Sequence, residues 1–123
     1  MAKILLVEDD EFIGRMINMR LKMRKHLVEQ AFNGQEAIDK VPAGNYDLVL
    51  MDMHMPVMDG HQATRLLREM GYDGLIVAVT ASVMSADSEK AIKSGCDSYI
   101  SKPIGADFED RIEAMLKNPQ LES

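Results

Sequence analysis

A single cysteine, Cys96, stands in a chain of 123 residues. That excludes an internal disulfide and a cysteine-based zinc site. Cys96 reads instead as a small apolar residue near the start of a strand, and the cytoplasm is the natural compartment for such a chain. Long apolar runs are missing as well. The longest, Ile4 to Val7 and Leu48 to Met51, are far too short to span a bilayer. Met1-Ala2-Lys3 leads directly into a strand-like run without a cleavage-site pattern, so neither a membrane segment nor a signal peptide is expected. Basic charge is in deficit. The net charge is −6, which argues against nucleic acid as a direct partner, because phosphate contacts need clustered Lys and Arg. The one basic cluster, Arg15, Arg20, Lys22, Arg24 and Lys25, reads as a solvated helix face. Repeats, low-complexity tracts and long linkers are absent.

What remains is an ordinary globular composition. Hydrophobic residues make up 46% and charged residues 28%, enough to build one core and too apolar for disorder. One domain over residues 1–119 is expected, with a short tail at 120–123. The run at 3–7 is continuous and apolar, as in a strand buried on both faces. Phe12, Ile13, Met16, Ile17, Met19, Leu21 and Met23 recur at three- and four-residue spacing, which predicts an amphipathic helix over 11–24. The same alternation continues along the chain. A weaker strand is expected at 27–32 and a short helix at 35–41, stopped by Pro42. The strongest strand lies at 47–51, and a helix at 61–70 follows, stopped by Gly71. A strand at 75–79, a helix at 85–94 stopped by Gly95, a short strand at 97–100 and a helix at 106–117 before Pro119 complete it. Five strand–helix repeats predict an α/β fold, a parallel sheet with helices on both faces. In such a sheet ligands bind at the carboxyl ends of the strands.

Those ends carry a consistent chemistry. Glu8, Asp9 and Asp10 follow the first strand, Asp52 the third, Thr80 the fourth and Lys102 the fifth. Carboxylates gathered at one edge repel one another unless a cation neutralises them. Mg²⁺ suits such a site, taking a few carboxylates and filling its other positions with water or phosphate. Lys102 offers a point charge and Thr80 a hydroxyl. Taken singly, three consecutive acids also suit a solvated turn at a helix N-terminus, and Thr80 suits a helix N-cap. Together with Asp52 they can stabilise a transferring phosphoryl group, with Asp52 as the nucleophile that forms an aspartyl-phosphate.

Four segments carry a family resemblance: Ile4-Leu5-Leu6-Val7-Glu8-Asp9-Asp10; Leu48 through Met51-Asp52-Met53-His54-Met55-Pro56-Val57-Met58-Asp59-Gly60; Val79-Thr80-Ala81; and Tyr99-Ile100-Ser101-Lys102-Pro103. In this order and spacing the chain resembles the receiver domains of two-component response regulators, over essentially its whole length. The resemblance implies a doubly wound, flavodoxin-like sheet of order 2-1-3-4-5. It implies Asp52 as phosphoacceptor and Asp9, Asp52 and the His54 backbone carbonyl as metal ligands. Glu8 would act through water, and Asp10 falls one past the acidic pair. Thr80 would be the switch hydroxyl, Lys102 the phosphate-binding lysine and Tyr99 the aromatic that follows Thr80. The Lys102–Pro103 bond is expected to be cis. The implied donor is a phosphohistidine on a histidine kinase or phosphotransfer protein. The domain would hydrolyse its own aspartyl-phosphate and would not be an enzyme in the usual sense. Some receivers dimerise through their last two helices.

Other readings stay open. A haloacid-dehalogenase-type phosphatase would want an acid two residues past its nucleophile, where His54 stands. A flavodoxin-like flavin carrier would want Ser, Thr and Gly amides where Glu8-Asp9-Asp10 stand. A receiver that binds partners without phosphorylation is the third. The His54 side chain either tunes dephosphorylation together with Ser82 or is an exposed histidine whose backbone alone matters. His26 and His61 read as surface residues. The eleven methionines read mostly as core, with Met53, Met55 and Met58 available to a partner. The loop after Asp52 and Ile104 after Lys102-Pro103 lean toward receivers of hybrid kinases. The chain is either a stand-alone receiver or a part of a longer protein.

Overall fold

The computed structural model describes residues 2–55, 58–80 and 85–117, without the side chains of 85–88. Pro56, Val57, Ala81, Ser82, Pro119 and the tail at 120–123 lie outside the described residues. The elements are β1 (Lys3–Val7), α1 (Glu11–Met23), β2 (Leu27–Ala31), α2 (Gly34–Gly44), β3 (Leu48–Asp52), α3 (Gly60–Glu69), β4 (Leu75–Thr80), α4 (Ser85–Ser94), β5 (Ser98–Ser101) and α5 (Phe108–Lys117). Every pairing is parallel, in the order β2-β1-β3-β4-β5.

Side-chain alternation along the strands divides the interior in two. Leu5, Val7, Val49, Met51, Ile76 and Ala78 point to the face covered by α2, α3 and α4, which contribute Ala37, Val41, Ala63, Leu67 and Ala91. Ile4, Leu6, Leu48, Leu50, Val77 and Val79 point to the other face, where Ile17 and Leu21 of α1 meet Phe108, Ile112 and Met115 of α5. All of β3 is buried, as a central parallel strand with both faces covered must be. Asp10, Asn33 and Asp59 cap α1, α2 and α3 by accepting from the backbone N–H three residues on, which satisfies donors the helices leave open. Gly71 and Gly95 end α3 and α4 at φ +97° and +120°. No helix among the described residues is long and apolar enough to cross a membrane.

Four expectations are corrected. Pro42 does not stop α2, which runs on to Gly44 before Asn45 takes a left-handed conformation at φ 53°. In the last turn the missing N–H forgoes a single intrahelical bond, and burial of Val41 and Gly44 holds the turn in place. On α1 the apolar set is not one stripe. Phe12, Met19 and Met23 are 79%, 61% and 76% exposed, while Gly14, Ile17 and Leu21 form the buried side. The basic cluster is not wholly solvated, because Arg20 pairs with Glu109 and Arg24 with Asp110 and Glu113, joining α1 to α5. Finally, His26 and His61 are buried. His26 Nδ1 accepts from the Ala2 N–H at 3.1 Å while Nε2 faces Glu113 at 3.2 Å. His61 Nδ1 lies 3.2 Å from Ser94 Oγ. Since that hydroxyl donates to the Lys90 carbonyl, it accepts from His61 Nδ1–H.

Candidate functional site

The expected residues meet at the carboxyl edge. Asp52 ends β3, Thr80 ends β4, Glu8 directly follows β1 and Lys102 directly follows β5. The order reverses between β1 and β3, so the acids sit at the topological switch point. Carboxylate oxygens of Glu8, Asp9 and Asp52 lie within 4.8 Å of one another. Glu8 and Asp52 are 3% and 2% exposed, and Asp9 faces solvent. Asp10 takes another task. Its carboxylate accepts from the Ile13 N–H at 3.0 Å and caps α1.

Lys102 Nζ stands 3.5 Å from Glu8 Oε1 and 3.5 Å from Asp52 Oδ2. The remaining oxygens have backbone partners. The Asp10 N–H donates to Glu8 Oε2 at 3.2 Å, and the His54 N–H to Asp52 Oδ1 at 3.0 Å. Burial, reinforced by the hydrogen bond and charge of Asp52, pushes the Glu8 carboxyl up to about 7. The Asp10 N–H and Lys102 pull the other way. A divalent ion among these oxygens would relieve the repulsion, and an all-oxygen set with two buried carboxylates and one open to water fits a hard cation. The residues present therefore fit Mg²⁺.

The backbone fixes the rest. The Lys102 N–H donates to the Thr80 carbonyl at 2.7 Å, and the Met53 N–H to the Val79 carbonyl at 3.1 Å. Thr80 is buried and in register with Ser101. Tyr99, half-buried on β5 opposite Ala78, packs against the core shared with α2, α3 and α4. The His54 side chain is exposed beside Asp52. The Lys102–Pro103 bond is cis. Gly60 closes the segment that runs on from Asp52 and opens α3. A Cβ there would run into the Asp52 carbonyl oxygen and approach Met53 Cα to 2.8 Å, so α3 begins against the backbone that carries Asp52. A glycine eight residues past a strand-end acid was the available signal, and distance along the chain hid its contact.

A family model described as the response regulator receiver domain matches residues 4–116. Over 108 residues the chain is 44% identical to the two-component response regulator ORR41 of Oryza sativa, covering 85% of each. It is 40% identical to hybrid signal transduction histidine kinase G of Dictyostelium discoideum over 83% of this chain and 3% of that protein, so it spans a small part of that relative. Among solved structures, the receiver domain of Ssk1 of Saccharomyces cerevisiae, crystallised with the histidine phosphotransfer protein Ypd1, superposes with TM-score 0.82 at 30% identity. The match covers 94% of this chain and 84% of that one.

Proposed function

The chain belongs to the response-regulator receiver family of two-component systems, and from that premise we propose that Asp52 accepts a phosphoryl group from a phosphohistidine with Mg²⁺ bound beside it. The observation that carries the reading is Lys102 Nζ placed 3.5 Å from both Asp52 and Glu8, a cation where phosphoryl oxygens must arrive among acids. An Asp52 oxygen attacks phosphorus, the P–N bond breaks, and the departing imidazole keeps the electron pair and takes up a proton. When bound beside these acids, Mg²⁺ would supply positive charge against them and against the incoming phosphoryl group. Asp9, Asp52 and the His54 carbonyl would hold it, with Glu8 acting through water. Lys102 and the Thr80 hydroxyl hold the phosphoryl oxygens, a positioning task that supplies most of what this chemistry needs. In autodephosphorylation water attacks phosphorus, the P–O bond of the acyl phosphate breaks, Asp52 returns as a carboxylate, and inorganic phosphate leaves with the oxygen of the water, whose proton is released.

The switch is the one that the family resemblance implies. Thr80 would move toward the new charge and Tyr99 would follow, which alters the surface made by α4, β5 and α5. The donor is a histidine kinase or a phosphotransfer protein, as the Ssk1–Ypd1 pair suggests by analogy, and the setting is the cytoplasm. The output is a protein contact, with a homodimer among the forms it can take. Residues 1–119 form the working domain.

Intact mass after incubation with acetyl phosphate and Mg²⁺ tests the proposal. One added phosphoryl group is expected, absent from Asp52→Ala and from chelator-treated protein and released by hydroxylamine. If no mass is gained, and neither Mg²⁺ nor beryllofluoride shifts the amide NMR spectrum, the phosphoacceptor reading fails. The chain would then be a phosphorylation-independent interaction module.

A further inference from the structure

Arg20 lies on α1, away from the acids, yet its guanidinium makes more directed contacts than any one surface ion pair requires. Nε donates to Glu109 Oε2 at 2.8 Å and Nη2 to Glu109 Oε1 at 2.6 Å, a two-point fork on α5. The same Nη2 donates to the Gly105 carbonyl at 2.7 Å. The guanidinium carbon also lies 5.5 Å from the Phe108 ring centroid. Gly105 belongs to the turn that leaves β5 immediately after Lys102. The turn is thus held at two points. The Lys102 N–H is bonded to the Thr80 carbonyl, and three residues on Arg20 grips the Gly105 carbonyl. Between them Pro103 is exposed and Ile104 packs against the α1–α5 core.

We propose that Arg20 is a positioning residue for the phosphoryl-binding lysine: it fixes the turn at Gly105 and so sets the root from which the Lys102 side chain reaches between Glu8 and Asp52. This rests on the phosphoacceptor reading above. The Lys102 ammonium ends a flexible four-carbon stem, so the position of its backbone decides how many of its conformers reach the site. A displacement of about 1 Å in a group that orients a reacting centre can cost up to about a hundredfold in rate. Arg24 provides the comparison. It joins α1 to the same helix through Asp110 and Glu113 but makes none of these contacts to the turn.

The test is the rate of phosphorylation by acetyl phosphate at saturating Mg²⁺, followed by intact mass in the full chain. Arg20→Ala should slow it about tenfold with Mg²⁺ affinity unchanged, while Arg24→Ala behaves as wild type. In a Lys102→Ala background the Arg20→Ala change should alter the rate by less than about twofold, because a residue acting through Lys102 has nothing left to act on. Arg20→Lys keeps the cation at the α1–α5 interface and gives up the fork, so it carries the same comparison if the alanine variant does not fold. A slowing of equal size in both backgrounds, or none in either, would overturn the proposal. A wild-type chain that gains no mass would overturn the phosphoacceptor reading and this inference with it, a result distinct from an unresponsive Arg20→Ala.

Discussion

The N–H of Lys102 donates to the carbonyl of Thr80 at 2.7 Å. The two side chains assigned to the phosphoryl oxygens therefore rise from adjacent strand ends that share one backbone hydrogen bond. Their separation is set by the backbone, through this bond and the turn that Arg20 holds at Gly105, and not by either side chain, so substitutions that shorten one of them should leave the other in place.

Lys102→Ala follows from this. Truncation removes a cation 3.5 Å from Asp52 and from Glu8 but leaves the strand pairing. Phosphorylation by a small donor should slow by about a hundredfold or more, the usual scale for losing one preorganised charge contact. Mg²⁺ should bind more tightly, because the acids lose the neighbour that competes with it. Stopped-flow rates and calorimetry read the two effects. Weaker Mg²⁺ binding in the variant would contradict the assigned role.

Glu8 makes stability depend on pH. Its folded carboxyl, held near 7 by burial and by Asp52, lies above its ordinary value, so the folded state binds more protons than the unfolded between about 4.5 and 7. Without metal, stability should fall as pH rises through that window. Glu8→Gln should raise the metal-free Tm at pH 8 and change it little at pH 5. Mg²⁺ affinity should climb through the same range in wild type. Identical melting of both proteins at pH 8 would remove the claim.

His61 has the opposite sign. Burial, assisted by the charge of Lys90, lowers the affinity of its ring for a proton, while Asp59 opposes this. The folded value lies below the ordinary 6.5, so the contribution is complete above that pH. It is lost as pH falls toward the folded value, because the unfolded chain takes up the proton first. His61→Gln should flatten this part of the Tm–pH curve. An imidazole NMR titration at or above the ordinary value would refute it.

Gly60→Ala should lower stability by about 1–3 kcal/mol, the scale of overpacking a tight contact. The new methyl must displace the Asp52 carbonyl or the Met53 backbone. Because that backbone carries Asp52, the proposed phosphoacceptor, the phosphorylation rate should fall with Tm. A variant as stable and as fast as wild type would show that the loop yields without cost.

The strand–helix alternation and the strand-end acids were legible because both are local. Period and composition place β1, β3 and β4, and a residue next to a strand end stays there when the sheet forms. What escaped the sequence depends on partners far along the chain. His26 lies 87 residues from Glu113 and Arg20 lies 89 from Glu109, so neither the buried histidine nor the clamped arginine announces itself locally. On α1 the apolar residues outnumber the positions one face can bury, and spacing alone did not say that Phe12, Met19 and Met23 would be left outside. Pro42 was misread because a breaker near a helix end costs one bond, and burial of its neighbours outweighs it.

Cys96 has a use in the laboratory. Its thiol is buried, with burial pushing it up to about 11, and thiolate is the form that alkylating reagents attack. In folded protein it should remain silent toward maleimides. A cysteine introduced on the outer surface of α1 or α5 would then be the one that takes a dye. The distance between those helices and the phosphoryl site could be followed by fluorescence without first removing a side chain from the core.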